Sequence, residues 1–333
     1  MESKKFYGLD LLRGIAGYGV AITHYFYFVQ EKVDFEYYSF IFVEIFFVLS
    51  GFVLSNQLIK VHNNKNNIKI FYLRRLFRTI PLYLVALIFY TAISNNFNLD
   101  FFKFLFFIQK AIPDFVESNY FMVAWSLSIE EFFYLIFPVY LIVFNNVKAS
   151  KLALYFIILL SLVKILNHEN FSYDFLRTGT LLRLDSIALG FLLSIYFSKL
   201  IRFNNTIIIL ILILLTSIIN YKDLFFNNTG IYTVYFIFLS QVLSMLLVLL
   251  FCKSEFLIKK DISKRICNMV ATQTYSVYLF HLIVMHFLIM SNNVYVNNLF
   301  IYIFILFVIS TLTFKYFEKP ILLLRPKYKN EPN

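Results

Sequence analysis

The sequence predicts an all-α integral membrane protein with about ten transmembrane helices. Of its 333 residues, 60% are hydrophobic and only 15% are charged, whereas soluble domains are about 45–50% apolar. The mean hydropathy of +0.73 agrees with this class. The hydrophobic residues form continuous runs instead of alternating with polar residues, which favours helices over a β-barrel.

Ten apolar runs have lengths near the ~20 residues that cross the hydrocarbon core of a bilayer. The predicted spans lie near residues 8–29, 38–59, 77–94, 125–145, 150–166, 179–198, 205–220, 230–252, 272–291 and 297–317. Residues 101–112 are apolar but too short to span, so we expect this segment at the membrane interface. No small-residue cleavage site follows the first run, so it should stay as a membrane anchor.

The basic residues predict the orientation of these spans. If the N-terminus is cytoplasmic, the segments on the cytoplasmic side carry 23 of the 30 Lys and Arg residues. Cytoplasmic loops are enriched in Lys and Arg, so both termini are predicted to be cytoplasmic. The net charge of +11 follows from this bias. Because the charges are divided among short loops, nucleic-acid binding is not expected.

We expect a single transmembrane domain over residues 1–333, with no appended soluble domain, since no linker or internal repeat is visible. The two cysteines, Cys252 and Cys267, are too few for a disulfide framework or a metal site. The sequence has no metal-ligand spacing, P-loop or glycine-rich dinucleotide fingerprint. It also has no Gly-x-Ser-x-Gly nucleophile motif. We therefore expect no metal.

Ionisable residues in the first span carry the first functional indication. The stretch LDLLRGIAGYGVAITHY, residues 9–25, contains Asp10, Arg13 and His24. Arg13 and His24 are separated by roughly three helical turns plus 20°, so they share one face at a distance of roughly 16 Å along the axis. Both could face one cavity. Alternatively, Arg13 reaches the inner headgroups and pairs with Asp10, and His24 is a hydrogen-bonded core residue.

Two further stretches hold candidate residues in the second and third spans. FFVLSGF (46–52) places Ser50 beside Gly51, a small pair that permits close helix contact. RRLFR (74–78) places Arg75 and Arg78 at i, i+3, where they could hold phosphate groups. They could equally be ordinary basic residues of the cytoplasmic side.

Polar residues recur in three later spans or span ends. WSLSIEEFFYLIFP (125–138) contains Glu130 and Glu131, which diverge by about 100° on a helix, so only one can point at a given centre. RLDSIALG (183–190) and TYSVYLFH (274–281) contribute two further pairs. Arg183 and Asp185 could form an internal ion pair, and Tyr278 and His281 share a face, where they could be hydrogen-bonding contacts between helices.

Together these stretches resemble the membrane acyltransferase family 3. The first-span motif is followed in order by FFVLSGF, RRLFRTIPLY, WSLSIEEFFYLIFP, RLDSIALG, TYSVYLFH and YFEKP (316–320), so the resemblance covers about residues 7–325. It implies ten spans with both ends cytoplasmic, in a bacterial inner membrane. It also implies transfer of an acyl group, commonly acetyl, from cytoplasmic acyl-CoA to a hydroxyl. The implied acceptor is a surface polysaccharide, lipopolysaccharide O-antigen or another exported glycan or lipid-linked sugar.

The resemblance also implies roles for single residues. Arg13 and His24 match the essential pair of the first helix, and Arg75 and Arg78 match arginines used with acyl-CoA. One departure concerns His281, because this chain reads FHLIV where a Trp-Pro pair often follows the histidine.

We expect His24 to be the general base, oriented by Glu130 or Glu131, with Arg13, Arg75 and Arg78 holding the CoA phosphates. A histidine with a pKa near ~6.5 suits proton transfer at neutral pH. The thioester is already activated, so direct transfer suffices, although a covalent acyl-enzyme stays open. The alternative function is a secondary transporter with an intramembrane proton relay. The lack of an internal repeat and of paired Gly/Pro-broken helices argues against it.

Overall fold

A computed structural model of the chain describes residues 6–115, 120–202, 204–227, 230–253, 258, 260–290 and 298–328. Of these described residues, 83% are helical and none forms a β-strand. The predicted all-α class is therefore confirmed. In a bilayer this outcome is expected, because each backbone N–H and C=O must be satisfied within the chain.

The described residues form fourteen α-helices. They are α1 (Tyr7–Phe28), α2 (Asp34–Asn63), α3 (Ile68–Ser94), α4 (Leu99–Leu105), α5 (Ala124–Val143), α6 (Ala149–Leu166), α7 (Tyr173–Thr178), α8 (Leu184–Leu200), α9 (Asn204–Asn220), α10 (Lys222–Asn227), α11 (Ile231–Lys253), α12 (Asp261–Met290), α13 (Leu299–Thr313) and α14 (Lys319–Leu323). Short 3₁₀ turns precede α3 and α8, and a π-helical turn over Phe314–Glu318 joins α13 to α14.

Eight helical segments of the described chain are long and apolar enough to cross a membrane. They cover Asp34–Asn63, Lys65–Ser94, Ala124–Val143, Ala149–Leu166, Leu181–Leu200, Ile231–Lys253, Asp261–Ile289 and Leu299–Leu323. Each overlaps one predicted span, so the prediction of a multi-pass membrane protein is confirmed. The other two predicted spans fall on α1 and on the shorter apolar helix α9. The total of ten spans and the cytoplasmic position of the termini stay predictions.

Several helices begin earlier than their apolar runs. α3 begins at Ile68 although the predicted span begins at 77, and α12 begins at Asp261 although the predicted span begins at 272. An apolar run marks the length of the hydrocarbon core, but the backbone hydrogen bonds continue into the headgroup region, where charged side chains are tolerated. Within 101–112 the structure has the end of α4 followed by turns, and the interfacial position of this segment stays a prediction.

Unit 1 comprises residues 1–49 and 193–311. Its main packing is that of α1 against α12 and α11. A side chain at Gly14 or Gly17 of α1 would overlap Val270 or Thr274 of α12, so these glycines permit the close approach of the two helices. Toward the other end of α1 a buried cluster includes Ala21 and Tyr25.

Unit 2 comprises residues 50–192 and 312–333. A Cβ atom added at Gly51 of α2 would overlap the carbonyl oxygen of Ile187, so α2 and α8 are in backbone contact at this point. On another side of the unit, Tyr83 of α3 donates a hydrogen bond of 2.8 Å to the carbonyl of Phe104. The segment after α4 is tied to α5, because the Gln109 amide donates to the carbonyl of Ala124 at 3.0 Å.

The contact at Gly51 gives a stability prediction. Gly51→Ala places a methyl group against a backbone carbonyl that cannot rotate away, so we expect a loss of about 1–3 kcal/mol in the free energy of unfolding. The measurement is the midpoint of thermal unfolding of the purified protein in detergent. The matched control is Gly19→Ala, whose methyl group meets only the ring of Phe42. A Gly51→Ala protein as stable as the Gly19→Ala protein would contradict the proposed backbone contact.

Candidate functional site

Unit 1 contains a pair of histidines from two helices. Nδ1 of His24, on α1, lies 2.8 Å from Nε2 of His281, on α12. The two rings are stacked, with centroids 5.1 Å apart and planes inclined by 21°. His281 is fully buried, whereas His24 is half-buried. The structure therefore brings together two of the predicted site residues and leaves His24 the more accessible of the two.

The backbone of α12 fixes the direction of this hydrogen bond. Nδ1 of His281 lies 2.7 Å from the carbonyl oxygen of Tyr278. A carbonyl oxygen only accepts, so Nδ1 of His281 carries the proton. In a neutral His281 ring, Nε2 is then an acceptor and takes the hydrogen bond from Nδ1–H of His24. In a neutral His24 ring the proton therefore lies on Nδ1 and Nε2 carries none, which is the tautomer that a general base acting through Nε2 requires.

Tyr302 of α13 contacts both α1 and α12 close to the histidine pair. Its hydroxyl lies 3.2 Å from the carbonyl oxygen of His281 and 3.4 Å from that of Ala21. Its ring also stacks on that of Tyr25, one residue after His24, with centroids 5.3 Å apart. The aromatic ring of Tyr278, predicted on the same face as His281, lies 5.8 Å from the His281 ring. Packing from three helices thus limits the motion of both imidazoles.

Arg13 and Asp10 lie on the same helix as His24. α1 is continuous from Tyr7 to Phe28, so the helical rise predicts that Arg13 and His24 are roughly 16 Å apart along the axis. Both Arg13 and Asp10 are half-buried. Asp10 lies in the first turn of α1, where its negative charge is favourable at the positive end of the helix dipole. The functional roles of Arg13 and Asp10 stay predictions.

Unit 2 contains a hydrogen-bonded cluster around Glu130 of α5. The Ser50 hydroxyl, on α2, donates to Oε1 of Glu130 at 2.7 Å. The Tyr134 hydroxyl, one turn further along α5, donates to Oε2 of the same carboxylate at 2.8 Å. Glu131 has a different partner, a side-chain hydrogen bond with Thr79 of α3. The two adjacent glutamates therefore face different helices, as their angular separation predicts.

Arg75 lies inside unit 2 beside this cluster. Its side chain is buried, and its Nη2 atom lies 3.5 Å from Oε1 of Gln57. The guanidinium lies 5.7 Å from the centroid of the Tyr134 ring. Arg75 is also within electrostatic range of both Glu130 and Glu131. Arg75 is therefore placed to balance the negative charge of the two carboxylates. Its predicted role in binding a phosphate stays a prediction.

Arg78 has a more open position on the same helix. It is half-buried, one turn beyond Arg75. It lines a small cavity together with Glu318 and with Phe77, Pro81, Leu82, Phe317, Ile321 and Leu322. Glu318 ends the π-helical turn and is buried. Of Arg75 and Arg78, Arg78 is thus the more exposed.

Asp185 is part of a buried ion pair with a lysine that the sequence reasoning missed. The Lys164 ammonium, near the end of α6, contacts Oδ2 of Asp185, and both side chains are fully buried. Arg183 is also fully buried. The sequence predicted Arg183 as the partner of Asp185. In the structure, Lys164 also forms an ion pair with Asp185. The signal for Lys164 was a cation inside the apolar run of α6, thirteen residues after Lys151 at its start.

Tyr134 and Gln57 were also missed by the sequence reasoning. Tyr134 was detectable in principle, because it lies four residues after Glu130 and neighbouring turns of a helix bring such residues together. Gln57 had no comparable signal, since its partner Arg75 is on another helix. In the part of the chain that the structure describes, no three His, Cys, Asp or Glu side chains are grouped so that they could hold a metal ion.

The predicted partnership of His24 with a glutamate joins residues of different units. His24 belongs to unit 1, whereas Glu130 and Glu131 belong to unit 2. Within unit 1 the partner of His24 is His281. The orientation of His24 by Glu130 or Glu131 therefore stays a prediction.

Comparison with known proteins gives a family and several relatives. Residues 6–317 match the model of a family described as an acyltransferase domain. A Staphylococcus aureus (strain COL) protein named "Putative O-acetyltransferase" is 26% identical over 94% of this chain and 56% of its own length. The peptidoglycan O-acetyltransferase OatA of Listeria monocytogenes is 27% identical over 85% of this chain and 51% of its own length. The chain thus spans about half the length of these relatives. No solved structure matches it.

The Lys164–Asp185 pair gives a second stability prediction. Lys164→Met leaves a buried carboxylate without its cation, which we expect to cost about 3–5 kcal/mol in the free energy of unfolding. The double variant Lys164→Met/Asp185→Leu removes both charges and should be more stable than Lys164→Met alone. Thermal unfolding of the three proteins in detergent measures this difference. If Lys164→Met matched the wild type, the ion pair would not exist in the folded protein.

Proposed function

The chain belongs to the acyltransferase family, and on this premise we propose that it transfers an acetyl group from acetyl-CoA to a hydroxyl of a cell-envelope glycan, with His24 as the general base. The observation that carries this proposal is the hydrogen bond between Nδ1 of His24 and Nε2 of His281. Together with the carbonyl of Tyr278, it favours the tautomer of a neutral His24 in which Nδ1 carries the proton and Nε2 does not. An unprotonated imidazole nitrogen on an accessible side chain is the chemical requirement for taking a proton from a hydroxyl.

In the proposed reaction, Nε2 of His24 accepts the proton of the acceptor hydroxyl as the hydroxyl oxygen attacks the acyl carbonyl. The C–O bond forms, and the tetrahedral intermediate breaks down with departure of the CoA thiolate. His24 then returns the proton to this thiolate if the transfer is direct. A base with a pKa near ~6.5 can serve in both directions at neutral pH, and such catalysis contributes about 10²–10⁴-fold to rate.

Donor binding is assigned to the arginines that the family resemblance implies. Arg78 is the candidate that we place first, because it is half-buried whereas Arg75 on the same helix is buried. A guanidinium binds phosphate with charge-assisted hydrogen bonds. Arg13 is half-buried on α1 and stays a candidate for the same role. Arg75 is buried beside Glu130 and Glu131, so we assign it mainly to the charge balance of that cluster.

The acceptor is proposed from the names of the relatives. These include O-acetyltransferases and a peptidoglycan O-acetyltransferase. A glycan hydroxyl in the cell envelope is the acceptor class that these names share, and peptidoglycan is the first polymer to examine. Surface polysaccharide, O-antigen and lipid-linked sugars offer the same reacting group. The position of the chain in a bacterial membrane is compatible with each of them.

The histidine pair gives a prediction for catalysis. We expect His24→Ala to lower kcat for acetyl transfer by about 10²–10⁴-fold, because the base is lost. His281→Leu should lower kcat with little change in KM for acetyl-CoA, since it removes only the acceptor that fixes the tautomer of His24. His281→Gln keeps an acceptor near the position of Nε2 and should recover part of the loss. CoA release by purified protein gives kcat and KM.

The same variants should differ in living cells. Mass spectrometry of envelope glycans from a deletion strain complemented with each gene would show which acetyl ester depends on His24. If His24→Ala kept full activity in both assays, His24 would not be the base. If His281→Gln were no better than His281→Leu, His281 would have no role in orienting His24.

Coenzyme A binding separates the proposed enzyme from a proton-coupled transporter. A ligand that binds only the folded protein stabilises it by about 2.7 kcal/mol at a concentration of 100 times Kd. We expect CoA to raise the midpoint of thermal unfolding, and Arg78→Ala to reduce this rise. The control is Arg265→Ala, which removes an exposed arginine of α12. No stabilisation of the wild type by CoA or acetyl-CoA would favour the transporter.

A further inference from the structure

We propose that Ser50 is a covalent acyl carrier, with Glu130 as its general base and Tyr134 as a positioning residue. This inference rests on the proposed function, since it requires an acyl-CoA donor. It adds a nucleophile, in unit 2, to the general base proposed in unit 1. The resulting enzyme would work in two half-reactions, with an acyl-serine between them.

The geometry of a nucleophile and its base is present around Glu130. The Ser50 hydroxyl donates to Oε1 of the carboxylate at 2.7 Å, and a nucleophile within hydrogen-bond reach of a base is the signature of covalent catalysis. The base is oriented in turn by a third group, the Tyr134 hydroxyl, which donates to Oε2 at 2.8 Å. The order nucleophile, base and orienting group is that of the serine-hydrolase triads.

Other serines of α2 show what distinguishes Ser50. Ser39 donates to the carbonyl oxygen of Glu36 at 2.7 Å, and Ser55 donates to that of Phe52 at 2.9 Å. These are the local side-chain-to-backbone bonds that serines commonly make in helices. A backbone carbonyl oxygen is too weak a base to take up the serine proton at neutral pH, whereas a carboxylate can accept it. Ser50 is also half-buried, whereas Ser39 and Ser55 are buried.

The surroundings of Ser50 hold it in a fixed position. Gly51, its neighbour, is in backbone contact with Ile187 of α8, so α2 has little freedom to shift at this point. Arg75 lies 5.7 Å from the Tyr134 ring and within electrostatic range of Glu130. A buried cation beside the carboxylate can stabilise the negative charge that develops on the acyl oxygen during attack. The cluster therefore combines a nucleophile, a base and a nearby positive charge.

The first half-reaction balances with the groups named. Oγ of Ser50 attacks the thioester carbonyl of acetyl-CoA, and its proton moves to the carboxylate of Glu130. The carbon–sulfur bond breaks, and the CoA thiolate takes the proton from Glu130 and leaves as the thiol. In the second half-reaction the acceptor hydroxyl attacks the Ser50 ester, and its proton goes to the base that the proposed function assigns to this step. The ester C–O bond breaks, and the same base returns the proton to the alkoxide of Ser50, which restores the free hydroxyl and the free base.

The experiment traps the acyl-enzyme in the absence of an acceptor. The full chain, purified into lipid nanodiscs, is incubated with acetyl-CoA labelled with ¹⁴C in the acetyl group and quenched in acid. Protein-bound label is counted, and its site is identified by peptide mass spectrometry. We expect up to one acetyl group per chain on Ser50, stable to neutral hydroxylamine and released by alkaline hydroxylamine, as an oxygen ester should be.

Variants separate the chemical role of Ser50 from a structural one. Ser50→Ala should lose the label while still being stabilised by CoA against thermal unfolding. Ser50→Cys should keep a label that neutral hydroxylamine now releases, because the ester has become a thioester. Glu130→Gln should slow labelling by about 100-fold without moving its site. Ser55→Ala is the matched control, a buried serine of the same helix, and should label as the wild type does.

Each other outcome contradicts a specific part of the proposal. Label that persists in Ser50→Ala, or that lies on another residue, rules out Ser50 as the carrier. A wild type that transfers acetyl to a glycan but never carries label transfers directly from CoA; this outcome overturns the inference and leaves the proposed function standing. A wild type that neither binds CoA nor releases it from acetyl-CoA contradicts the proposed function, and the acyl-serine with it.

Discussion

The ion pair between Lys164 and Asp185 has no exposed surface on either side chain, although both residues belong to helices that are long and apolar enough to cross a membrane. A charge at such a depth is costly unless a partner within the protein compensates it. The same requirement governs Arg75, which lies buried beside Gln57, Tyr134 and two glutamates. The helices that contribute these groups are therefore held in one relative arrangement by charge as well as by packing.

The need of buried polar groups for partners also determines which nitrogen of each histidine carries a proton. His281 is buried and binds the carbonyl of its own helix through Nδ1, so in its neutral form only Nε2 is left as an acceptor. His24 meets that acceptor at 2.8 Å through Nδ1, so in a neutral His24 ring the proton lies on Nδ1 and not on Nε2. A buried ring that must satisfy its own hydrogen bonds thus determines the tautomer of a more accessible one. The proposal that His24 is the base rests on this geometry.

In unit 2, the side chain of Glu130 is likewise held by hydrogen bonds to neighbouring side chains. Its two carboxylate oxygens accept hydrogen bonds from Ser50 and Tyr134, and these bonds fix the positions of all three side chains. A half-buried carboxylate needs hydrogen-bond donors whether or not it is catalytic, so these bonds also have a structural role. In the proposed acyl transfer Ser50 is taken as the nucleophile because its side chain is half-buried, whereas that of Tyr134 is buried.

The sequence was informative wherever a signal lies within one helix. Continuous apolar runs predicted the membrane-crossing helices, and the helical repeat correctly separated the directions of Glu130 and Glu131. It was less informative at helix ends: α3 and α12 begin well before their apolar runs, because a helix does not end where the hydrocarbon does. It was weakest for partners on different helices. Asp185 was paired with the nearby Arg183 in sequence, and Lys164 was overlooked, because proximity between α6 and α8 is not encoded in spacing along either one.

By itself, the sequence determined the all-α membrane class, the family and the identity of the ionisable residues that need an explanation, because hydropathy and motif order are properties of one linear chain. The tertiary structure alone decided which side chains meet: His24 with His281, Ser50 with Glu130, and Lys164 with Asp185. The physical reason is that a hydrogen bond or an ion pair acts over about 3 Å, whereas these partners are separated along the chain by many turns of helix. Only the packing of the helices brings them within that range.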